Sequence, residues 1–277
     1  MIRKALFFVG CASGLAGAVC AEPLEKPASA STVAAQRALL ESLPKDAGRD
    51  SGFADRGFLA TLSDPLIKAK DGKVVWNLDA YDWMKGNTAP ESVNPSLWRH
   101  MGLLRKHGLF ALSENMWQVR GFDVSNMTVI KGQSGLTTRE TAGAALRLVN
   151  ETLGARPVSA VIYSHSHGDH FGGVRGVVNE ADVKAGKVQI VAPEHFMAET
   201  ASENVMAGPA MGRRANFQFG SHLQPGPFGQ MGSGIGRGVS GGDITLIAPT
   251  IDVKKTGETR VIDGVTLEFQ MVPETEA

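Results

Sequence analysis

Cysteine is scarce in this chain. Its 277 residues hold two, Cys11 and Cys20, too few for a disulfide scaffold or a thiolate zinc finger. An excess of charge of one sign is also missing: 28 Lys and Arg stand against 28 Asp and Glu, a formal net charge of zero. With no run of Lys and Arg, the chain lacks the electrostatic footprint of a nucleic-acid binder. Charged residues make up 20% and apolar ones 43%, which excludes a disordered acidic or basic chain. What remains is a globular protein with enough length for one large domain or two ordinary ones.

The one long uncharged run lies at the start. Arg3 and Lys4 precede residues 5–21, which carry no charge and end in Val19-Cys20-Ala21, just before Glu22-Pro23. That order of basic region, apolar region and small-residue site is a secretory signal. Gly10, Gly14 and Gly17 interrupt the run, which is short for a spanning helix of about 20 residues. The expectation is a signal peptide over 1–21, a mature chain without thiols or a stable membrane span, and a periplasmic or secreted location. Removing Arg3 and Lys4 leaves 26 positive against 28 negative residues, a net of −2.

Residues 22–105 read as an N-terminal wrapping segment. It contains a helix over 32–43, a hairpin turning at Asp71-Gly72 and a helix over 95–104. From residue 106 to 277 the pattern is that of an α/β domain. Strands are expected over 109–112, 116–120 and 127–130, then a helix from Thr138 closed by Gly154. A buried strand follows over 158–163, then a helix near 174–184 and a strand over 188–191. Residues 208–242 hold 11 Gly together with Pro209, Asn216, Pro225 and Pro227, which predicts a long surface loop. A strand over 244–247 and a hairpin over 260–272, turning at Asp263-Gly264, close the chain.

The chemistry concentrates in His165-Ser166-His167-Gly168-Asp169-His170, directly after the buried strand. Three of the seven His fall in these six positions, a pattern expected by chance on the order of once in several thousand such chains. Imidazoles two apart on an extended segment point the same way and can grip one cation; Asp169 and His170 can turn toward a second. Neutral imidazole with a hard carboxylate suits Zn²⁺ or a similar divalent ion. Two such ions about 3.5–4 Å apart can share a hydroxide at neutral pH and polarise a substrate oxygen, so hydrolysis is the expected reaction class. Asp169 is placed to orient the water, which makes it the candidate catalytic residue. Phe171-Gly172-Gly173 gives the backbone a tight turn beneath the site.

The order strand, HxHxDH, turn, helix resembles the metallo-β-lactamase superfamily. The stretches Gln118-Val119-Arg120-Gly121-Phe122-Asp123-Val124-Ser125-Asn126-Met127-Thr128, 161–173, Glu203-Asn204-Val205-Met206-Ala207-Gly208, 51–58 and the closing Thr275-Glu276-Ala277 are similar to the alkyl sulfatases of that superfamily. The likeness implies an αβ/βα sandwich, incomplete at the C-terminus, with two zinc ions and hydrolysis of small alkyl sulfate esters such as dodecyl sulfate. By the same resemblance His165 and His167 hold the first zinc, completed by Glu276, and Asp169 and His170 hold the second. The family continues past Thr-Glu-Ala with further ligands, the sulfate-binding groups, a helical region that makes a homodimer, and a lipid-carrier-like domain. It also has a strand ending in Asp-Pro where this sequence passes from Gly135 to Leu136. The chain is therefore expected to be an N-terminal fragment of the pattern. Two alternatives stay open: another hydrolase of the superfamily, acting on lactones or phosphoesters, or a truncated metal-binding protein without activity.

Other matches carry less. Gly236 to Gly241 fits a dinucleotide fingerprint in letters, but it opens no helix, and Gly238-Val239-Ser240-Gly241-Gly242 fits a nucleophile elbow without the strand before it. His195 is expected to line a helix start, and Trp76, Trp83, Trp98 and Trp117 to pack in the core.

Overall fold

Local polar caps start the two longer helices of the N-terminal part. In a computed structural model, which describes residues 26–44, 48–130 and 138–272, helix α1 (Ala30–Ser42) begins where Ser29 Oγ accepts the Thr32 N–H at 3.1 Å. The expected signal, the Gly135–Leu136 junction and Glu276 lie outside the described residues. Helix α2 (Arg49–Asp55) leads into β1 (Phe58–Ala60), and β2 (Leu66–Lys68) pairs with β3 (Val74–Asn77) around the expected Asp71-Gly72 turn. At α3 (Pro95–Leu104) the Asn94 side chain accepts from the Ser96 and Leu97 N–H groups. Pro95 sits at the first helical position, where no donor is needed.

Strands β4 (Gly108–Ser113), β5 (Met116–Arg120) and β6 (Met127–Ile130) form an antiparallel meander, and β1 joins its edge to give the order β1-β4-β5-β6. Helix α4 (Arg139–Leu153) follows, with Ala142, Ala145, Leu148 and Val149 turned inward. A parallel sheet is built from β7 (Ala160–Ile162), β8 (Gln189–Pro193) and β9 (Ile251–Val253), with β8 in the middle. The short helices α5 (Gly168–Phe171), α6 (Val174–Val177) and α7 (Glu180–Lys184) connect β7 to β8. After β8 come α8 (Phe196–Thr200), a π-helical segment (Ala201–Met206) and α9 (Gly208–Phe219). The hairpin β10 (Glu258–Ile262) and β11 (Val265–Phe269) closes the described chain, its turn made by Asp263 and Gly264 at φ 48° and 77°, the left-handed pair such turns require.

One core joins the antiparallel sheet to the parallel one through α4. Leu109 and Val119 from the first, Val161 and Ile190 from the second, and Ala145 and Leu148 from α4 are buried together, with Ile67, Val75 and Leu78 of the N-terminal segment.

Three sequence expectations differ from the structure. The helix expected near 174–184 is two helices, because Val178 is extended and Asn179 caps a new start by accepting the Ala181 N–H. Within 208–242 the first twelve residues are helix α9 despite Pro209, which occupies its first turn, where proline is tolerated. Residues 244–247 form no strand: the Thr245 N–H and hydroxyl both bond Gly172 O at 2.7 Å and Ile247 O accepts from Tyr163, so this backbone is spent on the loop below the motif. The third parallel strand is Ile251–Val253 instead.

Candidate metal centre

The motif leaves the C-terminal end of β7, where ligands bind in open parallel sheets. The Tyr163 N–H still pairs with Val191 O at 2.9 Å, and the chain then turns through Ser164 into His165. Beneath it Tyr163, Phe171 and Phe196 form an aromatic trio with ring centroids 4.9 to 6.0 Å apart. Phe171 and Phe196 are almost fully buried, so the end of α5 is pinned from below. The Gly172-Gly173 turn uses ordinary helical geometry, with φ of −61° and −81°, and is held by the Thr245 contacts.

The structure brings all four motif donors together. His165 Nε2 lies 3.1 Å from His167 Nδ1, and His170 Nε2 lies 3.1 Å from an Asp169 carboxylate oxygen. The rings of His165 and His170 are 4.2 Å apart, which sets the two pairs side by side. Two ligands on one tetrahedral zinc, each bonded at about 2.0–2.1 Å, are separated by about 3.3 Å. Each pair thus has nearly the spacing of two ligands sharing one ion. Among the described residues no three His, Cys, Asp or Glu side chains surround a single point; the motif supplies two two-ligand halves. Their donor chemistry fits a divalent ion of the zinc type.

Electrostatics favour the metal-binding protonation states. Burial lowers the His165 pKa and the neighbouring His170 and His167 lower it further, against the pull of Asp169 and Glu203. Its imidazole is therefore neutral, as a ligand must be. Burial alone would raise Asp169, but hydrogen bonds from His170 and Ser125 outweigh it and hold its pKa at about 2.

Three residues around the motif had been given no role from sequence. Ser125, in the β5–β6 loop, donates to Asp169 at 2.8 Å. Glu203 approaches His167 Nε2 at 2.6 Å and accepts from Ser166 Oγ at 2.9 Å. Asn204 donates to Ser166 O and Thr200 O. The only signal for them was their place inside the stretches that resemble the alkyl sulfatases. His195 stands at the start of α8, in a left-handed conformation (φ 69°) and without a side-chain cap.

An α/β frame presenting paired His and Asp donors at a parallel strand's end defines the class of metal-binding α/β proteins. The sequence profile of the metallo-beta-lactamase superfamily matches residues 126–268, more than half of the chain, and the chain belongs to that superfamily. Within it, the chain is similar to a linear primary-alkylsulfatase from Pseudomonas sp., at 46% identity over 98% of this chain and 41% of the relative. It is 45% identical to the alkyl/aryl-sulfatase BDS1 of Saccharomyces cerevisiae, over 91% of this chain and 40% of that one. Among solved structures, the stereoselective inverting sec-alkylsulfatase Pisa1 from Pseudomonas sp. superposes with a TM-score of 0.84 at 43% identity, over 89% of this chain and 40% of that chain. The chain spans about 40% of the length of these relatives.

Proposed function

We propose that this chain carries the metal-binding part of an alkyl sulfatase, hydrolysing alkyl sulfate esters to alcohol and sulfate with two zinc ions at the HxHxDH motif. The observation that carries this reading is the pair of 3.1 Å donor couples in a chain whose likeness to alkylsulfatases runs almost end to end. Bound divalent ions would supply Lewis acidity toward the sulfate ester and acidify water. His165 and His167 would hold one ion, with Glu276 as its further ligand, and Asp169 and His170 the other. Asp169, ionised through the working pH range, orients the attacking water, and Ser125 fixes that carboxylate in place. Residues 1–21 act as an export signal in this reading, and the protein works in the periplasm or outside the cell.

The test is metal content together with sulfate release from dodecyl sulfate. Two zinc ions per chain and a sulfate release that a chelator abolishes and zinc restores are expected. A zinc-loaded chain that releases no sulfate would instead be a metal-binding protein without turnover. The 40% span of the relatives keeps that second reading in play.

A further inference from the structure

Glu203 lies 36 positions beyond His167 in the sequence, yet its carboxylate meets the ring nitrogen facing away from His165. We infer that Glu203 is a positioning residue that locks His167 in the tautomer protonated at Nε2, so that Nδ1 keeps its lone pair for the metal. The inference rests on the zinc-binding reading above and deepens it.

A carboxylate accepts and does not donate, so at 2.6 Å the hydrogen between His167 Nε2 and Glu203 belongs to the imidazole. In the metal-binding, neutral form of the ring, Nδ1 is then the unprotonated nitrogen. That atom lies 3.1 Å from His165 Nε2; with His167 in this tautomer, His165 is the partner that donates, from Nε2. Its Nδ1 in turn accepts from the Ser164 hydroxyl at 2.9 Å. The four groups form one directed chain, Ser164 to His165 to His167 to Glu203, with the only fixed acceptor at the Glu203 end. Filling the His165–His167 half of the site asks only His165 of this pair to move its proton, from Nε2 to Nδ1, where the Ser164 oxygen can turn round and accept it. His167 is already set.

Glu203 is itself braced. Its other oxygen accepts from Ser166 Oγ at 2.9 Å. The next residue, Asn204, donates to Ser166 O at 2.9 Å and to Thr200 O at 3.0 Å, so two consecutive side chains grip the motif loop. They reach it from the π-helical segment (Ala201–Met206), whose wider turn is a local departure of the kind found at functional sites. A carboxylate behind a ligating imidazole fixes ring and tautomer, and its loss commonly costs about 10–100-fold in metal affinity.

Two measurements test this. Zinc affinity, read by competition with a chromophoric chelator, should fall about 10–100-fold in Glu203→Gln, and by a smaller factor in Ser166→Ala, which removes only the brace. In the metal-free chain labelled with ¹⁵N-histidine, His167 should show the Nε2–H tautomer. Glu203→Gln should show a mixture, because an amide can either accept from or donate to Nε2. Added zinc should switch the His165 tautomer and leave that of His167 unchanged. Circular dichroism establishes that the variant is folded. An Nδ1–H tautomer at His167 in the native chain, or equal zinc affinity and tautomer in Glu203→Gln, would overturn the inference. A native chain that takes up no zinc would overturn the hydrolase reading instead, and the metal-free tautomer measurement would still decide the role of Glu203.

Discussion

Asp123 is 2% exposed, and its carboxylate gathers hydroxyls and amides from three parts of the chain. Ser240 Oγ donates to one oxygen at 2.5 Å and Thr141 Oγ1 at 3.0 Å; the Val124 and Ser240 N–H groups donate to the other. The residue therefore ties the β5–β6 loop to α4 and to the glycine-rich segment, two positions before the Ser125 that holds Asp169. Removing it strands several buried donors, so Asp123→Ala should lose about 3 kcal/mol. The midpoint of urea unfolding checks this, and an unchanged midpoint would show that the carboxylate is dispensable. The four motif donors were legible in the sequence because their spacing is local: a strand end and one turn bring six consecutive positions together. Asp123 and Ser240 meet across 117 positions, and nothing in either neighbourhood announces the other. Within the Gly236–Gly241 letters that mimic a dinucleotide fingerprint, Ser240 serves Asp123.

Among the elements, α4 and α6 show where small side chains decide packing. Gly176 in α6 faces Gly143 in α4 so closely that a Cβ on it would stand 2.1 Å from Arg139 O and 2.8 Å from the Gly143 nitrogen. Helix α6 begins just after the motif, so this approach sets how the donors sit on the core. Gly176→Ala should push the two helices apart and cost about 1–3 kcal/mol, the usual range for overpacking. Gly102, in α3, has nothing within 4 Å of its would-be Cβ. There the same substitution should stabilise by up to about 1 kcal/mol through helix propensity. Thermal unfolding of the two variants side by side checks the opposite signs. Element types were readable where pattern and cap agree, as at α3 with Asn94 and Pro95. They failed where tertiary contacts claim the backbone. Residues 244–247 have a strand's composition, but their hydrogen bonds go to Gly172 and Tyr163. The π-helical turn that aims Glu203 at His167 has no sequence signature of its own.

At the scale of the molecule, buried polar side chains from late in the chain hold early segments in place. The Arg237 guanidinium, 2% exposed, donates to the carbonyls of Asn77, Leu78 and Gly121, and burial brings its pKa down to about 10. Tyr81 reaches the other way, its hydroxyl 2.9 Å from both Gln230 Oε1 and Arg237 O. Tyr163 donates to Ile247 O at 3.1 Å. These are the only two tyrosines in the sequence, and both are nearly inaccessible. Burial pushes the Tyr81 pKa from 10.0 up to about 12 and raises that of Tyr163 as well. A folded-state pKa above the unfolded one means the folded chain holds its proton longer. The contribution to stability is then complete below pH 10 and is lost as pH rises from 10 through about 12. Tyrosinate absorbance should therefore stay low past pH 10 and rise together with the loss of far-ultraviolet circular dichroism. Tyr81→Phe keeps the ring but has no proton to lose, so its stability should fall less steeply over that window. Free titration of both phenols near pH 10 with the dichroism intact would mean that the glycine-rich segment does not lock the N-terminal wrap onto the sheets.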